Sequence, residues 1–162
     1  MTGSVYLDTN ILIAMFEGRR DIHGDLWDFM NESIRSNKVV FHTSALSFAE
    51  LLVKPYRERN ELLSRQYMQL ARSDDWLTVH RVDPIVIETA AALRALTRAR
   101  LPDAVHMTTA MSAACSYLMT FDLGITDLAD LEHPISGRPF GRTLQVIHPS
   151  PASLSELAQA LS

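Results

Sequence analysis

The chain is 162 residues long, with 47% hydrophobic and 21% charged residues and a formal net charge of −4. This length and apolar content fit one compact α/β-sized domain with a real core, and the negative balance argues against holding nucleic acid through bulk positive charge. A single cysteine, Cys115, cannot form an internal disulfide. With no basic leader and no apolar run of membrane-spanning length, the sequence predicts a soluble cytoplasmic protein without a membrane segment, in which Cys115 is a small core residue.

Val5-Tyr6-Leu7 reads as a buried parallel strand that ends abruptly in Asp8, and Ile11, Leu12, Met15 and Phe16 then keep helical spacing. A second helix is expected over Asp21 to Arg35, broken at Asn37-Lys38. Val39-Val40-Phe41 is a short strand, ending at His42-Thr43-Ser44, with Thr43 or Ser44 as the cap of a helix through Val53 that Pro55 stops. Arg57 to Arg72 reads as one helix, Trp76 to His80 as a third strand, and Ile85 to Ala99 as an alanine-rich helix after Asp83-Pro84. Pro102 suits a first helical position, so a helix runs from Asp103 to about Ser116, and Tyr117 to Thr120 forms a fourth strand before Phe121-Asp122. Gly124 to Thr143 has poor periodicity and reads largely as surface loop. Leu144 to Ile147 is a fifth strand, and Ser153-x-x-Glu156 is a capping-box pattern for a helical tail at about 151–162. Strands alternating with helices imply a parallel sheet covered on both faces.

In that topology Asp8 and Asp122 each follow a strand, and Asp103 opens the helix leading into the fourth strand. These points converge on the carboxyl edge of the sheet, where open α/β folds place their chemistry. Glu50 joins them if its helix turns that side inward. Two carboxylates about 4 Å apart repel by about 4 kcal/mol at an effective dielectric of 20, so a cation or protons must sit among them. Hard oxygen donors without thiolates favour Mg²⁺ or Mn²⁺, ions suited to activating water against a phosphodiester.

Leu7-Asp8-Thr9-Asn10, Ser44-Ala45-Leu46-Ser47-Phe48-Ala49-Glu50-Leu51, Pro102-Asp103-Ala104-Val105-His106-Met107 and Leu118-Met119-Thr120-Phe121-Asp122 stand in that order along the chain. Together they resemble the PIN-domain ribonucleases, most closely the VapC-type toxins of toxin–antitoxin pairs, over roughly Val5 to Ile147. The resemblance implies a three-layer α/β/α fold with a central parallel sheet of four or five strands, forming a single domain over residues 1–162. It also implies a Mg²⁺- or Mn²⁺-dependent endoribonuclease, usually a homodimer, that leaves a 5′-phosphate and a 3′-hydroxyl and is inhibited by a cognate antitoxin protein. Asp8, Glu50, Asp103 and Asp122 match the family's catalytic, metal-binding acids. Asn10 and Thr120 match supporting positions. Phe121 departs from the small or polar residue of many relatives, and Asp127 is an alternative fourth acid.

Each residue also has a plainer reading. Asp8 could cap a helix, Glu50 could be an exposed helix charge, Asp103 could answer the helix dipole, and Asp122 could begin a turn. His106, one turn after Asp103, reads first as a packed or hydrogen-bonded structural histidine that could bond a ligand carboxylate. Arg57, Arg59, Arg65, Arg94, Arg98 and Arg100 read as solvated charges, or as RNA phosphate contacts if their helices flank the acids. Trp27 and Trp76 read as core before base-stacking groups. Phe16, Trp27 and Phe29 mark an apolar surface for a dimer or antitoxin contact. The competing functional class is a PIN-like RNA- or protein-binding module with weak catalysis.

Overall fold

A computed structural model describes residues 3–73 and 75–162. Among them a five-stranded, all-parallel sheet has the order β3-β2-β1-β4-β5. The strands are β1 (Gly3–Leu7), β2 (Val39–Ser44), β3 (Leu77–His80), β4 (Tyr117–Met119) and β5 (Gln145–Ile147). The helices are α1 (Thr9–Glu17), α2 (Arg20–Ser36), α3 (Ala45–Leu51), α4 (Val53–Glu58), α5 (Glu61–Leu70), α6 (Pro84–Leu96), α7 (Leu101–Ser112) and α8 (Pro151–Ala160). No described helix is long and apolar enough to cross a membrane.

β1 is central, and Val5, Tyr6 and Leu7 are wholly buried because helices cover both faces of the sheet. The period of two sends Val5 and Leu7 into one core with Ile11 and Leu12 of α1, Phe29 and Met30 of α2, and Leu154 and Leu157 of α8. Tyr6 and Leu118 face the other core, under Ala90 and Leu93 of α6 and Ala104 and Ala110 of α7. Cys115 lies buried in this second core, as expected, and burial pushes its thiol up to about 11, keeping it protonated and inert.

Order along the sheet runs outward from β1 through β2 to β3, then reverses to β4 and β5. The reversal opens a crevice between the carboxyl ends of β1 and β4, the place where such sheets bind ligands. Asp8 stands directly at that point: its backbone N–H donates to the Met119 carbonyl at 3.0 Å.

Several boundaries differ from the sequence expectation. Pro55 does not stop a helix; it occupies the first turn of α4, where its missing N–H would lack an intrahelical partner anyway. The expected helix from Arg57 is interrupted at Arg59, which is left-handed (φ 54°), and Asn60 then caps α5 through the Leu63 N–H at 3.1 Å. Ser44 stands at the start of α3 without making a side-chain capping bond. α7 begins at Leu101 and ends at Ser112, because Ala114 turns left-handed (φ 56°). The C-terminal capping box uses Ser150 and Ser153, one turn before the expected pair, and starts α8 at Pro151.

The tryptophans are structural: Trp27 donates to the Ala14 carbonyl at 3.1 Å, and Trp76 packs edge-on to Phe41. Phe29 is also buried, so of the three expected surface aromatics only Phe16 belongs to the exposed group.

On β2 and β3, His42 Nδ1 and His80 Nε2 lie 2.9 Å apart, one donating and the other accepting. Burial, reinforced by the neighbouring His80, pushes His42 down to about 4 from an ordinary 6.5. Between those values the unfolded chain binds a proton that the folded chain refuses. Stability is therefore full above about 6.5 and declines as pH falls toward about 4. Urea denaturation at a series of pH values measures this slope, and His42→Gln is expected to flatten it over the upper part of that interval.

Candidate active site

Asp8 is buried, and its carboxylate is held by donors on both oxygens. Oδ1 accepts from the Thr9 N–H at 2.6 Å, while Oδ2 accepts from Asn10 Nδ2 at 2.8 Å and from Thr120 Oγ1 at 2.6 Å. Asn10 also accepts the Phe121 N–H at 3.0 Å and donates to Thr120 Oγ1 at 3.0 Å. The sequence Asp8-Thr9-Asn10 thus ties the end of β1 to the residues that follow β4. Such donors fix the direction of the carboxylate.

Glu50 reaches the same place from α3. The Thr43 hydroxyl donates to the Leu7 carbonyl at 2.9 Å and pairs with Ser47 Oγ at 2.7 Å, which anchors the first turn of α3 to the end of β1. Glu50 Oε2 accepts from the Thr9 hydroxyl and lies 3.0 Å from His106 Nε2. The same Nε2 is 3.5 Å from Asp8 Oδ1, so His106 stands between the two acids. Burial pushes the Glu50 carboxyl upward, but hydrogen bonds from His106 and Thr9 and the charge of His106 outweigh it and hold the group below its ordinary value.

An ionised Glu50 can only accept, so His106 Nε2–H donates to it. On the other side of the ring, Nδ1 is 2.8 Å from the hydroxyl of Tyr6, a wholly buried phenol that burial pushes above its usual range. Tyr6, His106 and Glu50 therefore form one line of hydrogen bonds from the core to the site.

Asp103 and Asp122 form a second acidic group. Arg100 Nε donates to Asp103 Oδ2 at 3.0 Å, and Arg100 Nη2 donates to Asp122 Oδ2 at 2.8 Å. A guanidinium thus bridges two carboxylates that would otherwise repel. The groups join through Thr120, whose hydroxyl accepts the Asp122 N–H at 3.0 Å while donating to Asp8. Asp127, the alternative fourth acid, turns elsewhere: its Oδ1 accepts the Val146 N–H of β5 at 2.6 Å.

The structure therefore brings Asp8 and Glu50 together around His106, brings Asp103 and Asp122 together around Arg100, and joins the two groups through Thr120 and Asn10. Among the described residues no three acids or imidazoles stand close enough to hold an ion as they are arranged. The donor set itself, oxygens of four carboxylates with no thiolate, fits Mg²⁺ or Mn²⁺ chemically, and the bridging Arg100 places positive charge between two of those donors.

The sequence does not single out Thr9 or the role of Arg100. Thr9 is an ordinary residue between Asp8 and Asn10 until its hydroxyl is seen to reach Glu50. Arg100 stands three residues before Asp103, a spacing that pairs opposite charges along a helix start.

Thr120 is fully buried and serves Asp8, Asn10 and Asp122 at once. Thr120→Val would keep its shape but leave these partners unsatisfied, with an expected loss of about 1–3 kcal/mol in urea denaturation. A change well under 1 kcal/mol would mean that water replaces the hydroxyl with little penalty.

Residues 5–131 match the PIN domain family. No curated protein sequence matches the chain. A toxin–antitoxin complex from Klebsiella pneumoniae contains a chain of similar fold, with 22% identity and a TM-score of 0.54, covering 84% of this chain and 96% of its own. VapBC2 from Rickettsia felis, bound to a DNA fragment from its promoter, contains another at 13% identity and a TM-score of 0.58, covering 75% and 89% respectively. With the family match spanning most of the chain, from β1 past the residues that follow β4, this protein belongs to the PIN domain family.

Proposed function

We propose that the protein is a cytoplasmic, metal-dependent endoribonuclease that hydrolyses RNA phosphodiester bonds, and that it is the toxin of a toxin–antitoxin pair. The observation that supports this reading is the pairing of Asp8 with Glu50 around His106 and of Asp103 with Asp122 around Arg100, the two pairs being linked through Thr120. Membership of the PIN family supports nuclease chemistry, and the toxin–antitoxin complexes among the structural neighbours support an antitoxin as partner. A homodimer is part of the same proposal.

Asp8, Glu50, Asp103 and Asp122 would hold Mg²⁺ or Mn²⁺. The chemistry such an ion supplies is activation of a water and neutralisation of charge that builds on the scissile phosphate. The protein's own residues prepare for it. Thr9, Asn10 and Thr120 keep the Asp8 oxygens fixed, so little reorganisation is needed when the site is loaded. The Tyr6–His106 line holds Glu50 in its ionised form with one donor already assigned. Arg100 neutralises Asp103 and Asp122 and would be displaced from them as a cation enters.

One observation favours the competing reading, a PIN-like module that binds RNA or protein with weak catalysis. Arg100 already satisfies two of the four acids.

The two readings separate in a cleavage assay. Mn²⁺-dependent cutting of RNA, abolished by EDTA and reduced at least about a hundredfold in Asp8→Asn with the fold intact by circular dichroism, is expected of the enzyme. Cleavage indifferent to the substitution or to EDTA would refute the proposed mechanism. Calorimetric titration of Mn²⁺ without RNA tests Arg100 separately. Arg100→Gln should bind the ion more tightly than the parent chain, and equal affinity would show that the guanidinium does not stand in the ion's place.

A further inference from the structure

A cleft of about 480 Å³ adjoins the Asp103–Asp122 pair, between the α6–α7 connection and the segment after β4. Its volume falls within the range of sites that seat a small organic ligand. Three features limit what could occupy it. Met107, Ile125 and Leu128 give it an apolar floor, all three packed in the second core. Arg98 and Arg100 also line it; Arg100 is paired with Asp103 and Asp122, and Arg98 adds a further positive charge to the apolar cleft. Asp103 and Asp122 form its end, which makes the cleft continuous with the acidic site.

A flat apolar ring attached to an anion meets all three conditions. The ring can lie against aliphatic side chains, the anion can face guanidinium groups, and the continuity with Asp103 and Asp122 places the ligand beside the reacting bond. A purely apolar peptide would leave the Arg98 guanidinium without an anion. A simple inorganic anion would leave the floor bare.

Resting on the ribonuclease reading above, we propose that this cleft is a nucleotide subsite. It takes the nucleoside next to the bond to be cut, with the base on Met107, Ile125 and Leu128 and the attached phosphate facing Arg98 and Arg100. The subsite contains no aromatic residue among its lining groups, so contact is made through methyl and thioether groups rather than ring stacking. Its contribution is to binding and register, since none of the floor residues carries a group able to transfer a proton.

Thr126 lies exposed on the cleft wall, and Thr126→Trp would fill the space from a surface loop without entering the core. Two readouts test the assignment. In the first, adenosine 5′-monophosphate is titrated into the whole protein with its methionine and isoleucine methyl groups labelled. Saturable shifts at Met107 and Ile125 are expected in the parent chain and not in Thr126→Trp. In the second, KM for a short oligoribonucleotide should rise about tenfold in Thr126→Trp and in Arg98→Ala, with kcat little changed and partial rescue in Arg98→Lys.

Unperturbed methyl resonances, or cleavage by both variants with the parent KM, would overturn the subsite while leaving the ribonuclease reading standing. Failure of the parent chain to cut RNA with Mn²⁺ would remove the ribonuclease reading and this assignment together, a separate and distinguishable result.

Discussion

Carboxylates from four separate segments can share one sheet edge only if each is given donors or positive charge in return. The architecture around the crevice is the answer to that constraint. Asp8 is surrounded by the Thr9 N–H, the Asn10 amide and the Thr120 hydroxyl. Glu50 is met by Thr9 and His106, and Asp103 and Asp122 share Arg100. The solution differs between the two pairs. Around Asp8 and Glu50 the protein uses fixed hydrogen bonds, and between Asp103 and Asp122 it uses a long, mostly exposed arginine.

This difference has a chemical meaning. The donor set around Asp8 is fixed by backbone and buried side chains, whereas Arg100 is a long, mostly exposed side chain. The Asp8 half of the arrangement is preorganised and the Asp103–Asp122 half is held by a group free to move. Cleft and acids then form one continuous surface: the same Arg100 that neutralises Asp103 and Asp122 also lines the neighbouring cavity.

Much of this was legible in the sequence because strand and helix periods differ, and because an acid at the end of an apolar run is conspicuous. Val5-Tyr6-Leu7-Asp8 and Leu118-Met119-Thr120 announced β1 and β4, and alternation of strands with helices announced the parallel sheet. Boundaries were harder. Pro55 reads in the sequence as a stop, yet proline in a first turn sacrifices no intrahelical bond. The break at Arg59 depends on a left-handed backbone that arginine does not advertise. The Ser150–Ser153 cap hid behind a more familiar Ser153-x-x-Glu156 spacing. Within the candidate site, the acids stand out in the sequence because each falls at an element boundary near one sheet edge. Their partners were harder to find, because a threonine or an arginine has many ordinary employments. His106 was seen as a hydrogen-bonded residue, but its position between Asp8 and Glu50 depends on how α3 and α7 meet, which spacing within either helix does not encode.

Thr120 is gripped from behind as well as from the site. Its N–H donates to the Ile147 carbonyl at 3.0 Å, its carbonyl accepts from His148 Nδ1 at 3.1 Å, and the His148 carbonyl accepts from Ser153 Oγ at 2.8 Å on α8. A continuous string of polar contacts therefore leads from the last helix to the deepest acid, through residues outside the stretch that matches the family. The C-terminal segment acts as a brace for the edge that carries Asp8: loosening it by truncation, or by pulling α8 away, would be felt first as misalignment of Asp8, before any strand of the sheet came apart.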